Sequence, residues 1–188
     1  MKLFKANKDK KNAGFSLIEI IAVVAVMAVL AAIAVPIYGQ YTENAAIAAD
    51  NTYVNEVYRA AAVVTAEAGD DLQAVAFTAN GEIMVSHVDA DEATTITDAA
   101  TDADKITQVK EYKFCGGCTK HIAPIIGGMQ DFQSKELSNA TPTEGTQFDT
   151  PLGTMIWADA ASITVAGNPS TVGAWILEVK GQSDDFYK

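Results

Sequence analysis

The pattern of apolar and polar positions divides the chain into four stretches. Residues 1–14 are polar, rich in Lys, Asn and Asp, and carry no apolar period. Residues 16–68 read as one long helix. Its first half, up to residue 42, is apolar all round, as a helix facing lipid or buried in a bundle must be. Its second half, residues 43–69, is amphipathic. Ile47, Val54, Val57, Ala61, Val64 and Ala68 form one stripe, and Glu43, Asp50, Asn55, Glu56, Arg59 and Glu67 mostly fall off it. Pro36 and Gly39 interrupt the pattern, and proline favours a kink rather than a necessary end. Gly69-Asp70-Asp71 is the stop signal.

Beyond Asp71 the period changes. Ala74–Thr78 and Glu82–Val88 flank Ala79-Asn80-Gly81, which predicts a hairpin. Residues 89–105 are an acidic, Thr- and Ala-rich loop. Ile106–Phe114 is a third strand-like run. Residues 133–151 are polar and turn-rich, and Thr154–Trp157, Ser162–Val165 and Ala174–Val179 are further strands. A turn at Asn168-Pro169-Ser170 separates the last two. The expectation is an α+β chain in which a long amino-terminal helix packs on a carboxyl-terminal antiparallel sheet of about four to six strands. Its parts are a leader (1–14), an apolar half-helix (15–42), an amphipathic half-helix (43–69) and a β-rich head (70–188).

Charge sharpens this division. The leader's five lysines outweigh Asp9, so the remainder is more acidic than the net −11 of the whole chain. An acidic surface repels phosphate backbones, which argues against direct nucleic-acid binding. No charge lies between Glu19 and Glu43. As a helix that stretch spans about 34 Å, enough to cross a hydrocarbon core. Residues 20–42 are therefore the expected membrane contact. Lysines on its amino side predict a single pass with that end cytoplasmic and the head outside, where disulfides persist.

Glu19 is the exception inside the apolar stretch, and a carboxylate in lipid asks for a partner. It follows Gly14-Phe15-Ser16-Leu17-Ile18 directly. A cut after Gly14 would give Phe15 a charged amine about one helical turn from Glu19, or within reach of Glu19 on a neighbouring helix. Such a pair offsets desolvation and sets axial register. Two blander readings are a secretory signal cut after Ala32-Ile33-Ala34 and a plain single-pass anchor. Both leave the internal acid without a purpose.

In its first third the chain resembles the type IV prepilins, through Gly14-Phe15-Ser16-Leu17-Ile18-Glu19, the apolar run Ile20–Val35, Pro36, Tyr38 and Tyr41. The resemblance implies cleavage after Gly14 by a membrane-bound prepilin peptidase and N-methylation of Phe15 by the same enzyme. It also implies a role for Glu19 in methylation and docking, and polymerisation of the apolar half-helix, with Pro36, into a helical surface filament. The partners it implies are further subunits, the peptidase and a membrane-embedded assembly platform. A pseudopilin of a type II secretion or DNA-uptake machine shares the same first third.

Cys115 and Cys118 are the only cysteines, separated by Gly116-Gly117. An extracytoplasmic location favours a local disulfide, for which the glycines supply backbone freedom. Cys115-x-x-Cys118-x-x-His121 with His87 also has zinc-like ligand types. A Cys-x-x-Cys redox pair is a third reading. Together these define a different class of function, a membrane-anchored metal or redox module. The acidic segment 89–104 offers carboxylates for calcium but lacks the order of an EF-hand loop. No catalytic constellation surrounds either histidine and no phosphate-binding loop is present, so the expectation is a non-enzyme without a resident cofactor.

Overall fold

The computed structural model describes residues 15–89, 107 and 109–179. The chain forms two compact units that divide after Thr42. Helix α1, Leu17–Ala68, runs through the boundary. Its backbone stays helical through Pro36. It ends where Gly69 takes φ +84°, a left-handed conformation that glycine adopts without a Cβ clash.

In the first unit the helix is lined by exposed apolar side chains, among them Ile20, Val26, Val29 and Leu30. It is long and apolar enough to cross a membrane.

In the second unit α1 buries Asp50, Tyr53, Val54, Val57, Ala60, Ala61 and Thr65. The predicted stripe is largely right through Val54, Val57 and Ala61, while Ala68 is exposed. Asp50 departs from expectation. The spacing Ile47, Asp50, Val54, Val57 puts it on the buried face, and it is only 2% exposed.

The strands are β1 (Asp70–Phe77), β2 (Ile83–Asp89), β3 (Lys113–Phe114), β4 (Gln147–Thr150), β5 (Gly153–Ala158), β6 (Thr164–Val165), β7 (Asn168–Pro169) and β8 (Ala174–Glu178). A short helix α2, Thr119–Ile122, follows the cysteine turn. The eight strands of the described residues form one sheet in the order β4-β5-β8-β1-β2-β3-β6-β7. The β1–β2 hairpin and the β5 and β8 strands match the sequence pattern.

Four features differ. Among the described residues of the run Ile106–Phe114, only Lys113–Phe114 form a strand, β3, because the chain turns between Val109 and Tyr112. The polar stretch 133–151 contains strand β4, paired with β5 across a turn at Pro151-Leu152. Asn168-Pro169, expected as a turn, is the edge strand β7, a position where proline's missing donor does no harm. Finally, β3 and β6 are parallel, so the sheet is mostly rather than wholly antiparallel.

The sheet is covered on both faces. Val75, Phe77, Trp157, Trp175 and Leu177 pack with the α1 stripe. Ala74, Ala76, Ile156, Ala158, Ala174 and Ile176 point to a second core with Val109, Tyr112, Phe114 and Ile163. Double coverage explains why β8 reads Ala-Trp-Ile-Leu instead of alternating with polar residues. On the second face the Tyr112 hydroxyl donates to Glu178, 3.3 Å away. Burial, then the Glu178 charge, pushes that phenol well above its usual range.

Gly81 closes the β1–β2 turn with φ +77°, and a Cβ there would lie 2.4 Å from the carbonyl oxygen of Gln130. Gly81→Ala is therefore expected to destabilise the head by about 1–3 kcal/mol, the usual cost of a strained non-glycine backbone. A urea titration followed by tryptophan fluorescence measures it. An unchanged midpoint would show that the contact relaxes freely.

Candidate assembly site and the cysteine turn

The amino-terminal site is built by the start of α1. Phe15 and Ser16 precede the helix, and Phe15 is 85% exposed. The carbonyl of Ser16 accepts the first helical bonds, from the backbone N–H groups of Glu19 and Ile20. In return the Glu19 carboxylate accepts the backbone N–H of Ser16 at 2.8 Å. This Ser-x-x-Glu arrangement is one half of a capping box. It satisfies a donor that the helix leaves orphaned, and an acid in the first turn also suits the positive end of the helix dipole. Glu19 thus has a partner within the uncleaved chain, which the sequence reading did not foresee. The signal was present as Ser16 three residues before Glu19. Gly14 and the rest of the leader lie outside the described residues.

This geometry places an exposed, non-helical Phe15 directly before a capped apolar helix. Residues 9–35 match the family model described as the prokaryotic N-terminal methylation motif. The chain carries a prepilin-type cleavage and methylation motif. The methylation motif supports a type IV pilin-like protein, a structural rather than catalytic family, made as a membrane-anchored precursor. It also implies processing by a prepilin peptidase and assembly into a pilus-type structure. No curated protein and no solved structure matches the chain.

In the head the main polar feature is a clamp between α1 and the segment 130–135. The two Asp50 carboxylate oxygens accept the backbone N–H groups of Gln133 and Ser134, each at 2.8 Å. Glu43 accepts the N–H of Lys135 at 3.0 Å, with the Lys135 ammonium 3.9 Å from its other oxygen. The Tyr53 hydroxyl lies between Gln130 N–H, which donates to it at 3.3 Å, and the Gly81 carbonyl, which accepts from it at 3.4 Å. Burial pushes the Tyr53 phenol upward, so it stays a neutral donor. An irregular segment without a strand partner has to place its backbone donors somewhere, and these side chains receive them.

Cys115 and Cys118 close a local disulfide, with Cα atoms 6.0 Å apart. Gly117 has φ +99° in that turn. Cys118 directly precedes α2 without a side-chain capping bond, and the Thr119 hydroxyl of α2 donates to the Ile83 carbonyl of β2 at 2.7 Å. This tether brings the turn against the end of α1 and the start of the β1–β2 hairpin. A cavity of about 60 Å³ lies there, lined in part by Asp70, His87, Cys118 and His121. Both histidines of the chain therefore face one small space. His87 Nδ1 is 2.6 Å from an Asp70 carboxylate oxygen. Asp70 carries no motif of its own, and only its strand pairing brings it to His87. Among the described residues no three His, Cys, Asp or Glu side chains form a metal-binding group. The acidic segment considered for calcium lies outside the described residues apart from the backbone of Asp89.

Proposed function

We propose that the chain is the precursor of a type IV pilus structural subunit. It is cleaved after Gly14, N-methylated at Phe15 and polymerised through the apolar half-helix, residues 15–42, with residues 70–188 as an extracytoplasmic head. The observation that carries this reading is the methylation motif, joined to a helix whose apolar side chains have no cover of their own. Before assembly a membrane supplies that cover, with the amino terminus cytoplasmic. Afterwards the helices of neighbouring subunits supply it, each fully buried large side chain contributing about 1.5–3 kcal/mol. Glu19 and the new Phe15 amine pair across neighbours and set register. Pro36 lies where the helix leaves the membrane. A pseudopilin of a secretion or DNA-uptake machine would use the same motif and helix. Imaging of long surface filaments separates the two.

The direct test is mass spectrometry of the mature protein. The expected amino terminus is Phe15 carrying one methyl group. An intact Met1, or a start at Val35, removes the reading.

A further inference from the structure

We propose that the Cys115–Cys118 disulfide is a thiol-exchange site, at which an incoming thiolate forms a mixed disulfide with Cys115 while the surrounding fold stays intact. Three observations converge on it. Both cysteines are only partly buried, and Gly116 and Gly117 between them are exposed, so a thiol in solvent can reach the turn. The turn is also held on both sides by bonds that do not involve sulfur. On one side the Cys115 N–H donates to the Val85 carbonyl at 2.9 Å, and the Ala166 N–H to the Phe114 carbonyl at 2.8 Å. On the other the Thr119 hydroxyl donates to the Ile83 carbonyl at 2.7 Å, and Ile122 is buried in the core. A disulfide that closes so short a loop gains less from chain entropy than a long bridge does. The hydrogen bonds, rather than the sulfurs, therefore keep the turn on β2. The third observation separates the two cysteines. Cys118, and not Cys115, lines the cavity of about 60 Å³, which Ala61, Val64, Val85 and Ile122 make chiefly apolar. Such a space suits an uncharged thiol and disfavours a thiolate.

The two sulfurs thus play different parts. The incoming thiolate attacks the Cys115 sulfur, and a new S–S bond forms as the Cys115–Cys118 bond breaks. The electron pair of the broken bond leaves on the Cys118 sulfur, which takes a proton from solvent. The resulting thiol turns into the apolar space beside it. Once there it is protonated and slow to attack back, so the mixed disulfide at Cys115 persists. A second thiolate then attacks the incoming group's sulfur and frees Cys115. The sum is two thiols on the chain and one disulfide in the reductant, so electrons and protons balance with any thiol as the co-reactant. Gly117, at φ +99°, is followed by an open turn with no atom within 4 Å of where a Cβ would stand, so the ring can open without a clash.

This site is independent of the filament reading, since all its residues lie in the second unit. The test uses the full chain in detergent micelles, with reduced glutathione as a monothiol probe and dithiothreitol as a dithiol probe. Mass spectrometry follows opening of the disulfide, and near-ultraviolet circular dichroism of the tryptophans reports tertiary packing. Both probes are expected to open the bond in the folded protein with the tertiary signal unchanged, and glutathione to be found on Cys115. Two single variants test the roles of the sulfurs. Cys118→Ser leaves Cys115 free, and glutathione disulfide should modify it readily. Cys115→Ser leaves Cys118 beside the apolar space, where modification should be about tenfold slower because the thiolate fraction is lower. A disulfide that resists both probes until urea unfolds the chain overturns the proposal. Loss of the tertiary signal on reduction overturns it too, because the bond would then be a staple the fold depends on. So does modification of Cys118 at least as fast as that of Cys115 in the two folded variants.

Discussion

Glu19→Ala is expected to yield a precursor that is still cleaved after Gly14 but whose subunits fail to enter filaments. A carboxylate near the end of a membrane helix costs up to about 2.5–3.5 kcal/mol at full depth, so alanine should hold the helix in the membrane at least as well. On the proposed pairing, what disappears is the partner of the Phe15 amine. Truncating one side of a buried charge pair costs about 2–5 kcal/mol, which is roughly a 30-fold or greater loss at each subunit contact. Because Glu19 also accepts the Ser16 N–H, a second substitution is needed. Glu19→Gln keeps an acceptor for the helix cap and removes the charge. It should behave like Glu19→Ala in filament yield, measured as sheared surface protein. Wild-type filaments from Glu19→Gln would show that the carboxylate serves the cap and not the pairing.

Asp50→Ala should be among the most damaging single changes in the second unit. It strips acceptors from two backbone N–H groups at Gln133 and Ser134, at a site where Ser134 is fully buried. Each orphaned donor costs about 1–3 kcal/mol, so a loss of about 2–5 kcal/mol is expected in chemical denaturation. Asp50→Asn keeps one acceptor oxygen and turns an amide donor toward the other N–H, so it should fall between wild type and alanine. Hydrogen exchange at residues 130–135 should accelerate ahead of the strands. If Asp50→Ala shifts the midpoint no more than a surface change such as Glu56→Ala, the clamp contributes nothing.

These two acids show how far local pattern reaches. Glu19 was visible because its surroundings are uniform: one charge stands out among Ile, Val and Ala, although its bond to the Ser16 N–H was not read from them. Asp50 sits among other polar residues on a half-polar helix, so it reads as surface. Helical spacing from Val54 and Val57 puts it on the buried face, but only the backbone of residues 133–134 explains why an acid belongs there. The β1–β2 hairpin was legible through Asn80-Gly81, and β8 through its apolar run. Strand β4 was not, because at an edge a strand can be polar and its assignment depends on pairing with β5. The parallel contact of β3 with β6 has no local signature at all, since it joins segments some fifty positions apart.

The same division holds for function. The apolar half-helix, its acid, the basic leader and the processing motif are properties of consecutive residues, governed by transfer into lipid and by helical period, and could be read in order along the chain. The clamp at Asp50 and the cavity shared by Asp70, His87, Cys118 and His121 exist only because sheet pairing and the Thr119 tether bring distant residues together. Long-range hydrogen bonding decides those neighbours, and it leaves no trace in the spacing of the residues it joins.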